Sequence, residues 1–211
     1  MSSIGHDRNR IARLAMSTGD DSGTVRARIL DSVRTFFADL AIPVTFPQIS
    51  EADQNMLIAA ANFGSAARSV VVRGGWPRDI QLVPEPELPG RLVKELKQLW
   101  RGLAIIGADP DQARAVIRAA TMGGIPKTRR NVLLALLAAD GSLHTSQICV
   151  RTRMPEPTTR EALEDLYALG LIDAADQQLQ HTTWSATNET RQQWKQIQAM
   201  EPIDADQPDL F

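Results

Sequence analysis

Apolar residues in this chain recur mostly at helical spacing, in blocks separated by proline and glycine. Val25, Ile29, Leu30, Val33, Phe36, Phe37 and Leu40 predict an amphipathic helix that stops before Pro43. Ser50, followed by Glu51 and Asp53, reads as an N-cap with an acidic first turn. It opens a second helix through Met56, Leu57, Ala60 and Phe63. The texture then changes. RSVVVRGGWPRDIQLVPEPELPG has a short β-branched run, a Gly-Gly-Trp-Pro break and further prolines, which predicts a loop or short hairpin. Leu92, Val93, Leu96, Leu99, Trp100 and Leu103 form the buried stripe of a third helix after Pro89 and Gly90. A fourth begins near Asp109 and Pro110, carries Ala113, Val116, Ile117 and Ala120, and ends at Gly123 and Gly124.

Beyond Pro126 the periods alternate between helix and strand. Val132, Leu133, Leu136 and Leu137 place a helix closed by Asp140 and Gly141, and Ser142 to His144 leave room for one short strand. Thr145 caps a helix holding Ile148, Cys149 and Val150. After the turn from Arg151 to Pro157, another helix turns Ala162, Leu163, Leu166 and Leu169 inward, with Thr158 or Thr159 as its cap and Gly170 as its stop. Leu171 to Asp173, a polar tip from Ala174 to Gln178, and Leu179 to Thr187 around Trp184 read as strand, turn and strand. Asn188 caps a last helix through Trp194 and Ile197.

This order predicts a winged helix-turn-helix. The expected fold is mainly α: a flexible arm over residues 1–23, a helical domain over 24–125, a winged helix-turn-helix domain with a small β-hairpin wing over 126–198, and an acidic tail over 199–211.

Composition narrows the functional classes. The formal net charge is −2, so no global positive field draws the chain to nucleic acid or to anionic lipid, and any such contact has to be local. No apolar run is long enough to span a bilayer and no signal core opens the chain. The single cysteine, Cys149, lies in an apolar helical pattern and reads as a buried thiol. A cytoplasmic protein without membrane contact is expected. MGGIPKT lacks the glycine spacing of a phosphate-binding loop. His6, His144 and His181 have neither zinc-ligand spacing nor a paired nucleophile. The expectation is therefore a protein that is not an enzyme and takes no cofactor or metal.

In a winged helix the third helix enters the major groove with its N-terminal residues toward the base edges. That places Thr158, Thr159 and Arg160 nearest the bases of double-stranded DNA, Arg151 and Arg153 beside phosphates, and Gln178 and Gln180 on the wing. Glu161, Glu164 and Asp165 share that helix and oppose phosphate. Protein docking is the alternative use of such a domain.

The acidic, proline-containing stretch Glu201 to Asp206 leads to QPDLF. This resembles the pentapeptide by which bacterial polymerases and repair proteins bind the replicative sliding clamp: Gln207 would hydrogen-bond at the rim, Asp209 holds the polar position, and Leu210 and Phe211 would fill an apolar pocket. The alternative is that Phe211 folds back onto the domain.

ARLAMSTGDDSG, the tract from ARSVVV to LAIIG and IPKTRRNVLLALLAADG look like the C-terminal part of AAA-type ATPases of bacterial phages and mobile elements. There, the resemblance implies, a helical lid follows the ATPase core and a winged helix follows the lid. Arg91 matches the lid position that offers an arginine toward nucleotide phosphates. The core itself is absent here, which implies either a stand-alone adaptor or one half of a split ATPase in which Arg91 acts in trans on a separate subunit. The functional expectation is a DNA-associated adaptor of replication or repair. The alternatives are a winged-helix transcriptional regulator and an accessory subunit of a split ATPase.

Overall fold

A computed structural model describes residues 22–40, 45–46, 48–75, 78–85, 87–175 and 182–198, with Arg10, Arg13 and Met16. The chain divides into two compact units, Met1–Val44 and Thr45–Phe211. It is mainly helical, with small antiparallel sheets. Among the described residues no helix is long and apolar enough to cross a membrane.

The first unit holds α1, Ser22–Asp39. Its apolar stripe is exposed: Val25, Ile29, Val33, Phe36 and Phe37 are all open, and the two phenylalanine rings meet edge to face at 5.5 Å. The expected helical domain of residues 24–125 is thus divided at Val44 and Thr45.

The second unit is organised around α2, Glu51–Arg68. Ser50 caps it, its hydroxyl accepting the Asp53 N–H at 3.1 Å. Met56, Leu57, Phe63 and the run Ala59 to Ala61 are buried. Small residues let neighbours approach: a Cβ at Gly64 would lie 3.0 Å from Thr121 Cγ2 and 3.2 Å from Leu92 Cδ2. The two side chains belong to α3, Gly90–Ile105, and α4, Pro110–Gly123, whose buried positions Leu92, Leu96, Trp100, Ala113 and Ile117 fall on the predicted stripes. Asp109 and Gln112 close a reciprocal cap at the start of α4. Between α2 and α3, β1 (Val72–Arg73) and β2 (Ile80–Leu82) form the short hairpin.

The remaining elements follow in the predicted sequence: α5 (Lys127–Leu137), β3 (Leu143–His144), α6 (Thr145–Thr152), α7 (Glu156–Ala168), β4 (Ile172–Ala175), β5 (Thr183–Ala186) and α8 (Asn188–Gln198). The strands make one antiparallel sheet in the order β3-β5-β4, with Leu143 opposite Trp184 and Ile172 opposite Ala186. Trp184 Nε1 donates to Thr145 Oγ1 at 3.1 Å, tying β5 to the start of α6.

Three caps differ from the sequence reading. The α7 helix starts at Glu156 behind Pro155, so Thr158 and Thr159 stand inside it. Pro157 fits the first turn, where a missing N–H costs nothing. His144 rather than Thr145 precedes α6, its backbone N–H donating to Gln147 Oε1. At α8 the Thr187 hydroxyl, one residue before Asn188, accepts the Thr190 N–H. Cys149 is half-buried.

The last helix returns to the first of this unit. Trp194 of α8 stacks on the fully buried Phe63 of α2 at 5.7 Å, so the segments before and after Pro126 share one core.

Asp53 supplies a pH-dependent brace within that core. Burial pushes its carboxyl up, but hydrogen bonds from Arg114 (2.8 Å) and Ser50 (2.6 Å), together with the Arg114 charge, outweigh burial and hold it below the ordinary aspartate value of 3.8. A depressed carboxylate contributes stability that is complete above its unfolded value and is lost as pH falls through the folded one. Asp53→Ala is expected to cost about 2 kcal/mol at neutral pH, because Arg114 keeps Asp111 and some water. In urea unfolding, the gap between variant and parent should close below pH 3.8. A gap unchanged by acid would remove this role.

Candidate nucleic-acid interface

Helix α7 presents three faces. Thr159, Ala162, Leu163 and Leu166 point into the core, where apolar residues recur every three or four positions. Glu156, Pro157, Arg160 and Tyr167 are exposed, and Glu161, Glu164 and Asp165 occupy a half-buried flank.

Thr159 therefore cannot read a base. It is fully buried, and its hydroxyl donates to the Pro155 carbonyl at 3.1 Å. Because α7 begins at Glu156, the helical phase turns position 159 inward with 162, 163 and 166. Thr158 is half-buried. Arg160 is exposed and pairs with Glu156, one turn earlier, at 2.9 Å.

Arg151 and Arg153 are exposed at the end of α6, on the turn that leads into α7. Arg153 adopts a left-handed backbone, φ 54°, and caps α6 where glycine would be unstrained. Gln178 and Gln180 lie outside the described residues, as do Gln207, Asp209, Leu210 and Phe211. Arg91 is exposed at the start of α3, where its hydrogen bond to Glu95 at 2.9 Å raises its pKa.

Arginines that the sequence reading did not single out cover the acidic flank. Arg73 of β1 donates to Asp165 Oδ1 at 2.7 Å, to Glu164 Oε2 at 3.0 Å and to the Glu161 carbonyl at 3.0 Å. Burial works against the charge on Arg73, but the bonds to Asp165 and Glu164 prevail and raise its pKa. Arg129 of α5 takes the other carboxylate oxygen of Asp165 at 2.9 Å and donates to the Ser69 carbonyl at 2.6 Å. Arg78, itself at positive φ, reaches Glu161 at 3.3 Å. An acidic stripe at i, i+3 and i+4 was the available signal that partner cations had to exist. Their position, on a distant hairpin for Arg73 and Arg78 and on α5 for Arg129, was not encoded locally.

Comparison with protein families, curated proteins and solved structures gives no match.

The chemistry of the surface thus rests on its own charges. With Glu161, Glu164 and Asp165 paired to Arg78, Arg73 and Arg129, Arg151 and Arg153 stand exposed, and Arg160 stands exposed in its pair with Glu156. Guanidinium groups on such a turn can take phosphate oxygens in bidentate fashion.

Proposed function

We propose that residues 126–198 act as a winged helix-turn-helix that binds double-stranded DNA. The β4–β5 hairpin serves as its wing and α7 as its recognition helix, in a non-catalytic adaptor of replication or repair. The observation that carries this reading is the pairing of Glu161, Glu164 and Asp165 with Arg73, Arg129 and Arg78, which leaves Arg151 and Arg153 facing solvent beside the exposed Arg160–Glu156 pair. Gln207 to Phe211 would add recruitment of a sliding clamp.

Arg160→Ala is expected to weaken duplex binding about tenfold at low salt and to relax sequence preference. Arg153→Gly separates charge from fold: it removes a cation while relieving about 1 kcal/mol of left-handed strain. Its thermal midpoint should hold or rise as affinity falls, and the slope of log affinity against log salt should drop by about one. An intact protein that shifts no duplex at low salt defeats the proposal.

Two observations favour protein docking as a second reading. The β1–β2 hairpin engages one flank of α7 through Arg73, and Tyr167 is exposed beside Trp184, with ring centroids 6.2 Å apart. Tyrosine is enriched in protein interfaces.

A further inference from the structure

A groove of about 630 Å³ opens between the segment entering α2, the N-terminal half of α2 and the exposed side of α3. Its walls are apolar where Phe46, Ile49, Leu57, Ile58 and Val93 meet, and Phe46 and Ile58 remain 42% and 50% exposed. Along α3 the rim is basic. Lys94, Lys97 and Arg101 follow one another at helical spacing, without an acidic residue in the lining. Arg101 lies 5.0 Å from the centre of the Phe46 ring, and its Nε is buried without a hydrogen-bond partner among the described residues. An apolar floor with a cationic rim fits an extended peptide that carries both acidic and apolar residues and no cation.

Residues 199–211, AMEPIDADQPDLF, have that character. Glu201, Asp204, Asp206 and Asp209 share the segment with Ile203, Leu210 and Phe211, and no lysine or arginine interrupts them. The fold also aims this segment at the groove. Glu189, Thr190 and Gln193 of α8 border the same cavity as Asn62, Ser65 and Ala66 of α2, while Trp194 stacks on Phe63. The two helices therefore run antiparallel, and α8 leaves at Gln198 toward the N-terminal half of α2, where Gln54, Leu57 and Ile58 line the groove. Ile58 lies about 7.5 Å along the helix from Phe63 at about 1.5 Å per residue. The segment beyond Gln198 can extend to about 40 Å.

We propose that residues 199–211 dock in cis in this groove, with apolar side chains on its floor and carboxylates paired to Lys94, Lys97 and Arg101. Docking withholds Leu210 and Phe211 from other partners, so any protein that takes the tail must compete with the groove. This goes beyond the DNA reading and stands apart from it, since Arg151, Arg153 and Arg160 lie on other elements.

The test uses the full chain. A nitroxide is attached through Ala205→Cys in a Cys149→Ala background, and amide signals are recorded with the label oxidised and reduced. Amides of residues 54–58 and 94–101 are expected to lose intensity selectively. Lys94→Glu with Lys97→Glu changes only exposed side chains and should lower the docked population about tenfold, as should Leu210→Ala with Phe211→Ala. No selective loss, or the same loss in the charge-reversed protein, overturns the proposal. So does broadening seen only when spin-labelled and isotope-labelled chains are mixed, because the occupant is then a second copy.

Discussion

Alanine in place of Asp165 is expected to destabilise the Thr45–Phe211 unit by about 4 kcal/mol, read as a lower urea midpoint with an unchanged slope. Each oxygen of this carboxylate serves a different arginine: Arg73 from β1 and Arg129 from α5. The three side chains are only 16%, 10% and 9% exposed, for Asp165, Arg73 and Arg129. Removing the anion leaves two guanidinium groups facing each other with little water to solvate them, and that residual charge, more than the lost attraction, sets the cost. Glu164 still holds Arg73, and the Ser69 carbonyl still holds Arg129, which keeps the loss below complete unfolding. Arg73→Ala should cost less, because Asp165 retains Arg129. A loss under about 1 kcal/mol for Asp165→Ala would mean that water already screens the cluster.

Phe63→Ala is the second large effect, about 4 kcal/mol. The ring is fully buried and stacks on Trp194, so its removal opens a cavity at the contact between α2 and α8 and also removes the aromatic pair. Amide exchange should quicken first in α8, whose register depends on Trp194 and Ile197. If exchange in α8 stays at the parental rate while the global midpoint falls, the helix is held by other contacts.

The two sites differ in how far local sequence announced them. Helices α3 and α4 were legible because Leu92, Leu96 and Trp100 repeat along one face and Asp109 with Pro110 marks a start. The β4–β5 hairpin was legible from the apolar strands flanking a polar tip. The start of α7 was not: two prolines bracket Glu156, and the threonines that follow look like caps although the helix is already formed. That displacement turned Thr159 into a core residue. Nor could periodicity show that Arg73 would reach Asp165, since that bond spans 92 positions and depends on how two distant segments dock. The exposed stripe of α1 makes the same point, because its spacing says which residues share a face and nothing about what covers them.

One consequence concerns modularity. A C-terminal segment such as residues 126–198 is commonly imagined as a cassette that recombination can move between proteins, yet here Asp165 draws its counter-ions partly from β1, and Trp194 closes on a phenylalanine of α2. Excised alone, residues 126–198 would keep only Arg129 against the acids that Arg73 and Arg78 now share, and would leave the indole uncovered. Grafting this segment onto another scaffold therefore requires transplanting α2 and the β1–β2 hairpin with it.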